Sequence, residues 1–445
     1  MGLELYRIPV GDKYILYRPL RRVAFVGNGA MARLVEEAAG GQAVPPAARE
    51  FLDGIGFLEP DPPPPSPRDA EFRPTTAVLL ATNRCNLRCV YCYADGGAGT
   101  PREVPLELAR MAIDYVHQNA VDLARGRFEL NLHGGGEPTL AWQTLVAAVA
   151  YARAKQLPCR VSLVSNGVWS ARQRAWIVDN VDRVTVSFDG ARETQDRQRP
   201  LASGRGTFGT VLESIRTLDR AEIDYGVRMT ALAPWRGSLA RDVGFLCRET
   251  GCRSIQVEPA YNQQRGQYRA PSPDQGDDFV AGFMEAFEIA EGARRRLFYS
   301  GARPHVLTAS FCSAPYGSLI VTPFGDLVSC YEVTDRQHPL AGTCTIGRID
   351  ESAVVLDGRR RATLLARMED RLAGCRDCFC YRHCAGDCHV KAFYPGTEAA
   401  PGTSLRCRVN RQITAQILLW YIARAEDGVY RGKRHREPET GREAE

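Results

Sequence analysis

Three cysteines within residues 85–92 constrain this chain more than any other feature. They lie in Cys85-Asn86-Leu87-Arg88-Cys89-Val90-Tyr91-Cys92-Tyr93, a C-x3-C-x2-C run with an aromatic residue just before the last thiol. A loop that gathers three thiolates can hold three irons of a [4Fe–4S] cube, and a closed cube normally takes four cysteines. Three leave one iron open to a small chelating molecule. The competing reading is a zinc site, but zinc ribbons favour paired C-x2-C elements, and only one occurs here.

The run follows the first of six strand-like segments, Thr76 to Thr82. The others read at Phe128 to His133, Arg160 to Ser165, Arg183 to Phe188, Tyr225 to Ala231 and Ser254 to Glu258, with helix-length segments between them. Six β/α units predict an α/β fold with a mainly parallel sheet. Polar motifs close the strands. The second ends in Leu132-His133-Gly134-Gly135-Gly136-Glu137-Pro138-Thr139 and the third in Ser165-Asn166-Gly167. The fourth gives Ser187-Phe188-Asp189-Gly190, followed by Asp196-Arg197-Gln198-Arg199. The fifth carries Gly226-Val227-Arg228-Met229-Thr230, and the sixth ends in Gln256-Val257-Glu258-Pro259.

The triplet and these strand ends together resemble the radical S-adenosylmethionine (SAM) enzymes. The resemblance implies a partial (β/α)6 TIM-type barrel over 76–300, with its site at the carboxyl ends of the strands. It implies that the open iron takes the amino and carboxylate groups of SAM. Gly135, Gly136, Glu137 and Pro138 would meet the SAM amino group, the glycines permitting close backbone approach and Glu137 adding a counter-charge or bracing the turn. Ser165, Asn166, Ser187 and Asp189 would meet the SAM carboxylate or ribose. Arg228 would pair with the carboxylate through its two-pronged donor geometry. For Asp196, Arg199 and Glu258, structural and site-ordering readings stand level.

A second cysteine field follows. Cys312, Gly325 and Cys330 are spaced C-x12-G-x4-C; Cys375, Cys378, Cys384 and Cys388 are spaced C-x2-C-x5-C-x3-C; Cys407 closes the set. This resembles the seven-cysteine SPASM extension of radical SAM peptide and protein maturases, here spanning 301–426. The resemblance implies two auxiliary [4Fe–4S] clusters. Cys375, Cys378, Cys384 and Cys407 would enclose one; Cys312, Cys330 and Cys388 would hold the other. Ser313 to Ser318 offers that second cluster no fourth thiol, so it keeps an open iron or is completed by Cys344 or Cys380. Cys159, Cys247 and Cys252 read as ordinary buried thiols.

Residues 1–59 read as a small module. Tyr6 to Pro9, Tyr14 to Pro19 and Val23 to Val26 are strand-like; Ala30 to Ala39 and a segment after Pro45-Pro46 are helical. The order resembles the winged-helix elements of ribosomal-peptide modifying enzymes, which hold a leader peptide as an added strand. The alternative is a capping subdomain. Pro60 to Pro67 begins a stiff linker over 60–75. After Cys407 a helix carries Ile413, Ile417, Leu418 and Tyr421 at helical spacing; 427–445 reads as a charged tail, disordered from Arg431 to Glu445.

Composition bounds the rest. A chain of 445 residues, 44% hydrophobic and 24% charged, has room for two or three globular domains. Much of the excess base behind the net charge of +5 lies in Arg431 to Arg436, which reads as a solvated charged end and not as a nucleic-acid surface. No stretch reaches a membrane span, and no secretory pattern opens the chain. A cytoplasmic setting keeps 15 cysteines reduced and available to metal.

By resemblance, the chain takes an electron from a flavodoxin or ferredoxin and cleaves SAM to a 5′-deoxyadenosyl radical. That radical removes hydrogen from a precursor peptide whose leader rests on the N-terminal module, and a carbon–carbon or thioether cross-link follows. An anaerobic sulfatase maturase, which makes formylglycine, is the alternative. Relatives of that kind place an aspartate directly after the cysteine equivalent to Cys330. Here Tyr331 and Glu332 follow it, and these are the candidate proton-moving residues. A non-catalytic iron–sulfur protein would not need the strand-end motifs.

Overall fold

The computed structural model describes residues 3–66, 71–260, 265, 272–350, 352–396 and 399–432. The middle of the proline-rich linker (67–70) and the tail from 433 onward, both subjects of the sequence reading, lie outside the described residues.

The chain opens with three antiparallel strands, β1 (Tyr6–Val10), β2 (Lys13–Arg18) and β3 (Val23–Gly27). Gly11, at φ +59°, makes the tight β1–β2 turn. Helices Gly29–Ala39 and Pro46–Gly54 follow; Asn28 caps the first through its side chain, and Pro46 opens the second.

The central sheet begins with β4 (Thr76–Leu80), whose last four residues are all buried, as expected where helices cover both faces of a parallel sheet. β5 (Phe128–His133), β6 (Cys159–Ser165), β7 (Arg183–Ser187), β8 (Asp224–Ala231) and β9 (Ser254–Pro259) pair in parallel, each with its predecessor. The intervening helices bury one stripe each. In Leu106–Asp122 the buried residues Ala109, Ala112, Ile113, Val116 and Ala120 recur every three or four positions. A reciprocal Ser170–Gln173 capping box starts Ala171–Asn180.

The sheet does not stop at six strands. β10 (Arg296–Phe298) adds beyond β9. β11 (Ser318–Val321) adds in parallel to β4, and β12 (Asp326–Val328), β13 (Thr345–Ile349) and β14 (Val354–Leu356) continue antiparallel. The result is one eleven-stranded sheet, so the second cysteine field grows directly off the barrel's first strand.

β15 (Val429–Arg431) returns to pair with β3 and makes the N-terminal sheet four-stranded. The segment expected as a charged tail therefore starts as a strand, because Val429 and Tyr430 have apolar partners on opposite faces of that sheet. Val429 packs with Leu16, Phe25 and Leu52; Tyr430 packs with Ile15, Tyr17 and Leu418 of the helix Leu405–Arg424. The linker is also held at its start. The Arg18 guanidinium, fully buried, lies 2.6 Å from Asp61, and Asp61 accepts the Glu4 amide at 2.6 Å. Glu4 in turn pairs with Arg382 at 2.5 Å. No helix among the described residues is long and apolar enough to cross a membrane.

Candidate active site

The triplet loop leaves β4 and is clipped to the segment after the helix Arg192–Gln198. Arg88 N donates to Pro200 O, Val90 N to Gln198 O, and Leu87 bridges Leu201. Tyr91 anchors the loop from below: its hydroxyl donates to Asp189 Oδ2 at 2.5 Å and accepts from Arg199 at 2.8 Å. Asp189 Oδ1 accepts the Thr230 amide at 3.0 Å. Asp189 thus braces β7 against β8 while each of its oxygens keeps a second lone pair. Arg199 belongs to the same brace, whereas Asp196 accepts the Phe208 amide at the start of the next helix. Glu258 accepts from Gln256 and from the Ser300 amide.

Arg265 was not singled out by sequence, since an isolated arginine carries no motif. It holds the same loop through Asp95 at 2.7 Å and the carbonyls of Cys89 and Gly96 at 2.9 and 2.8 Å.

The glycine turn after β5 is pressed against the triplet loop. Gly136 N donates to Thr82 O and Glu137 N to Arg84 O. A Cβ on Gly136 would come within 2.0 Å of Arg84 O, so only glycine fits. The Glu137 carboxylate is buried and accepts four bonds: from the amide and hydroxyl of Thr139, the Ser165 hydroxyl and the Asn166 amide. Burial raises its pKa, and those bonds pull it back. Ser165 is further occupied by Gly167 N and Trp169 Nε1, and Asn166 reaches Asn86 in the triplet loop at 2.8 Å. Glu137, Pro138, Ser165 and Asn166 therefore tie the β5 turn to the end of β6. The backbone of Gly135 and Gly136 is what remains to face a ligand.

Ser187 and Arg228 stand opposite each other across β7 and β8. The Arg228 charge reaches Tyr93, His133 and Glu332. It therefore lies between the triplet loop and the second cysteine field. Tyr93 is 38% exposed, an open ring beside the last thiol of the triplet. Tyr331 packs against His133, tilted at 41° and 5.1 Å between ring centres, and Glu332 pairs with Lys391 at 2.7 Å. Burial alone would raise Glu332, but Lys391 and Arg228 hold it below the usual carboxylate range. Burial pushes Tyr331 up to about 12 and holds His133 neutral, down to about 4.

The donor set suits iron–sulfur clusters. No three His, Cys, Asp or Glu side chains among the described residues converge tightly enough for a single metal ion. Burial pushes Cys85 up to about 12, with repulsion from nearby Cys89 and Cys92 contributing. Amide donors aim at ligand sulfurs, as at cluster thiolates: Gly96 N at Cys92, Ala314 N at Cys312, Glu332 N at Cys330, and Asn410 Nδ2 at Cys384, each at 3.4 Å.

Cys375, Cys378, Cys384 and Cys407 line one pocket. Cys380 lines it too, but its thiol points at Thr414 Oγ1 and Asn410 O, as a protonated thiol does. Cys330 has Cys388 and Cys344 as electrostatic neighbours, and Cys312 lies near Tyr331. Cys344 lies beside Cys330, the Ser329 amide donating to the Cys344 carbonyl at 2.9 Å. The Cys159 thiol likewise points at a carbonyl.

Residues 79–234 match the Radical SAM superfamily. Fe-coproporphyrin III synthase of Methanosarcina barkeri is 34% identical over 156 residues, 34% of this chain and 36% of that protein. This chain thus spans about a third of that relative. GTP 3',8-cyclase of Mycobacterium ulcerans is 28% identical over 72% of this chain and 82% of its own. Mycofactocin maturase MftC of Mycolicibacterium smegmatis is 27% identical over 71% of this chain and 78% of its own. The solved structure of native anSMEcpe with bound AdoMet and Kp18Cys peptide shares the fold. Its TM-score is 0.59 at 16% identity, over 78% of this chain and 99% of that one. With the triplet loop at the carboxyl end of β4 and the glycine turn packed upon it, residues 79–234 form a radical SAM domain.

Proposed function

We propose that this protein is a peptide maturase that uses SAM to oxidise a ribosomally made precursor peptide, installing a carbon–carbon or thioether cross-link. One observation carries the reading: the second cysteine field packs against the strand ends behind the triplet loop, with Tyr331 5.1 Å from His133 between ring centres and the Thr334 side chain against Gly135. Mycofactocin maturase is a relative over most of the chain, and the structural neighbour holds AdoMet and a peptide.

Cys85, Cys89 and Cys92 would hold the SAM-binding cluster, which when bound supplies the electron that cleaves SAM and yields a hydrogen-abstracting radical. Gly135 and Gly136 present backbone to the SAM ammonium, and Arg228 offers a guanidinium to its carboxylate. Cys375, Cys378, Cys384 and Cys407 would hold one auxiliary cluster; Cys312, Cys330 and Cys388 would hold the other, with Cys344 beside them. Glu332, kept ionised by Lys391, is positioned to accept a proton, while Tyr331 stays protonated.

The sulfatase-maturase alternative draws on the fold of its neighbour. Against it, Tyr331 and not an aspartate follows Cys330, and that ring is packed against His133.

The test is anaerobic co-expression with the short peptide encoded beside the gene, followed by mass spectrometry. The expected product has lost a pair of hydrogens, and only when Cys85, Cys89 and Cys92 are intact. An unmodified peptide, together with formylglycine in a sulfatase-derived peptide, would replace the first reading with the second.

A further inference from the structure

An extended peptide can bind by adding a strand, which requires a free sheet edge. The N-terminal sheet offers little. Its other edge is β15, only three residues long and paired with β3. Its β1 edge carries Pro9, which lacks an amide proton, and the Tyr6 hydroxyl ties that strand to Arg376 O at 3.0 Å.

β14 is different. It ends the eleven-stranded sheet. Asp357 N bonds Ile346 O and Asp350 N bonds Ala353 O, so by alternation Val355 bonds to β13 while Val354 and Leu356 turn their amides and carbonyls outward. Val355 is 46% exposed. Beside it lies a groove of about 910 Å³, bounded by β13, β14 and the start of the helix Gly358–Ala373.

Charge selects the occupant. Arg336, Arg348, Arg359 and Arg360 line the groove with two acids, Asp326 and Asp357. Asp326 is neutralised by a two-pronged pair with Arg336 at 2.7 and 2.8 Å, and Asp357 pairs with Arg360 at 3.4 Å. Arg348 and Arg359 are exposed and have no ion pair among the described residues. Arg336, on the groove wall, is two residues beyond Thr334, whose side chain abuts Gly135 and would lie 2.8 Å from a Cβ there.

We propose that the β14 edge and its arginine-lined groove dock an extended, acidic segment of the substrate peptide. This rests on the maturase reading only for the identity of its occupant. The segment adds to β14 through the amides of Val354 and Leu356, and its acidic side chains meet Arg348 and Arg359.

The test is fluorescence anisotropy of a labelled heptapeptide alternating glutamate and valine, titrated with the full chain at low and raised salt. Saturable, salt-sensitive binding is expected, with slowed hydrogen exchange at Val354 and Leu356. Reversing both charges, R348E with R359E, is expected to weaken it about tenfold. Val354→Pro keeps every charge but deletes an outward amide, and is expected to weaken it as well. Absence of binding overturns the proposal, as does binding indifferent to both variants. So does protection on β1 or β15, or equal competition by an oligothymidylate.

The measurement needs neither iron nor SAM. Peptide binding without SAM cleavage would sink the maturase reading and keep the groove; SAM cleavage without peptide binding would do the reverse.

Discussion

The candidate site is held together by side chains that bind each other before they bind any ligand. Glu137 is the clearest case, since its four accepted bonds join the β5 turn to the end of β6. Glu137→Gln keeps the shape, but an amide offers one acceptor oxygen where the carboxylate offers two. It is expected to destabilise the fold by roughly 1–3 kcal/mol in urea unfolding. Tyr91→Phe removes one partner from Asp189 and one from Arg199, both buried, and a similar loss is expected.

His133 makes the pH prediction. Its folded pKa, near 4, lies below the ordinary value of 6.5, chiefly through burial. The unfolded chain therefore binds more protons, so this residue's contribution is intact above pH 6.5 and is lost as pH falls toward 4. Melting of the wild type against His133→Gln across that window should show the gap shift against the wild type, by at most about 3 kcal/mol.

At the scale of elements, periodicity and apolar runs disclose the six parallel strands, because each buries a run of five to eight residues that any partner would satisfy. Pairing beyond them is not legible. β11 is four buried residues, Ser318-Leu319-Ile320-Val321, three of them apolar, and nothing in them names β4 as neighbour. β15 hides in a charged segment for the same reason: three residues carry too little pattern. Its packing predicts its importance. Tyr430→Ala is expected to cost about 3 kcal/mol and to speed hydrogen exchange of the β3 amides, read by mass spectrometry.

For the whole molecule, the two cysteine fields make separable predictions. Replacing Cys85, Cys89 and Cys92 by alanine is expected to remove about a third of the bound iron, if each field site holds one four-iron cube. Replacing Cys375, Cys378, Cys384 and Cys407 should remove about another third. Iron analysis of anaerobically purified protein reads both. Equal loss of all iron from either variant would mean that the sites do not load independently.

The sequence by itself determined the chemistry on offer: which thiols cluster, which strand ends carry glycine or arginine, and where the β/α units fall. These are local properties, set by spacing and period along the chain. Only the tertiary structure decided how the offered groups are used. It committed Asp189 and Glu137 to bracing, set Cys344 beside Cys330, brought Arg265 onto the triplet loop, and closed the first sheet with the last described strand. Each of those outcomes depends on a hydrogen bond or packing partner far away in sequence, and spacing along a chain does not encode distance across a fold.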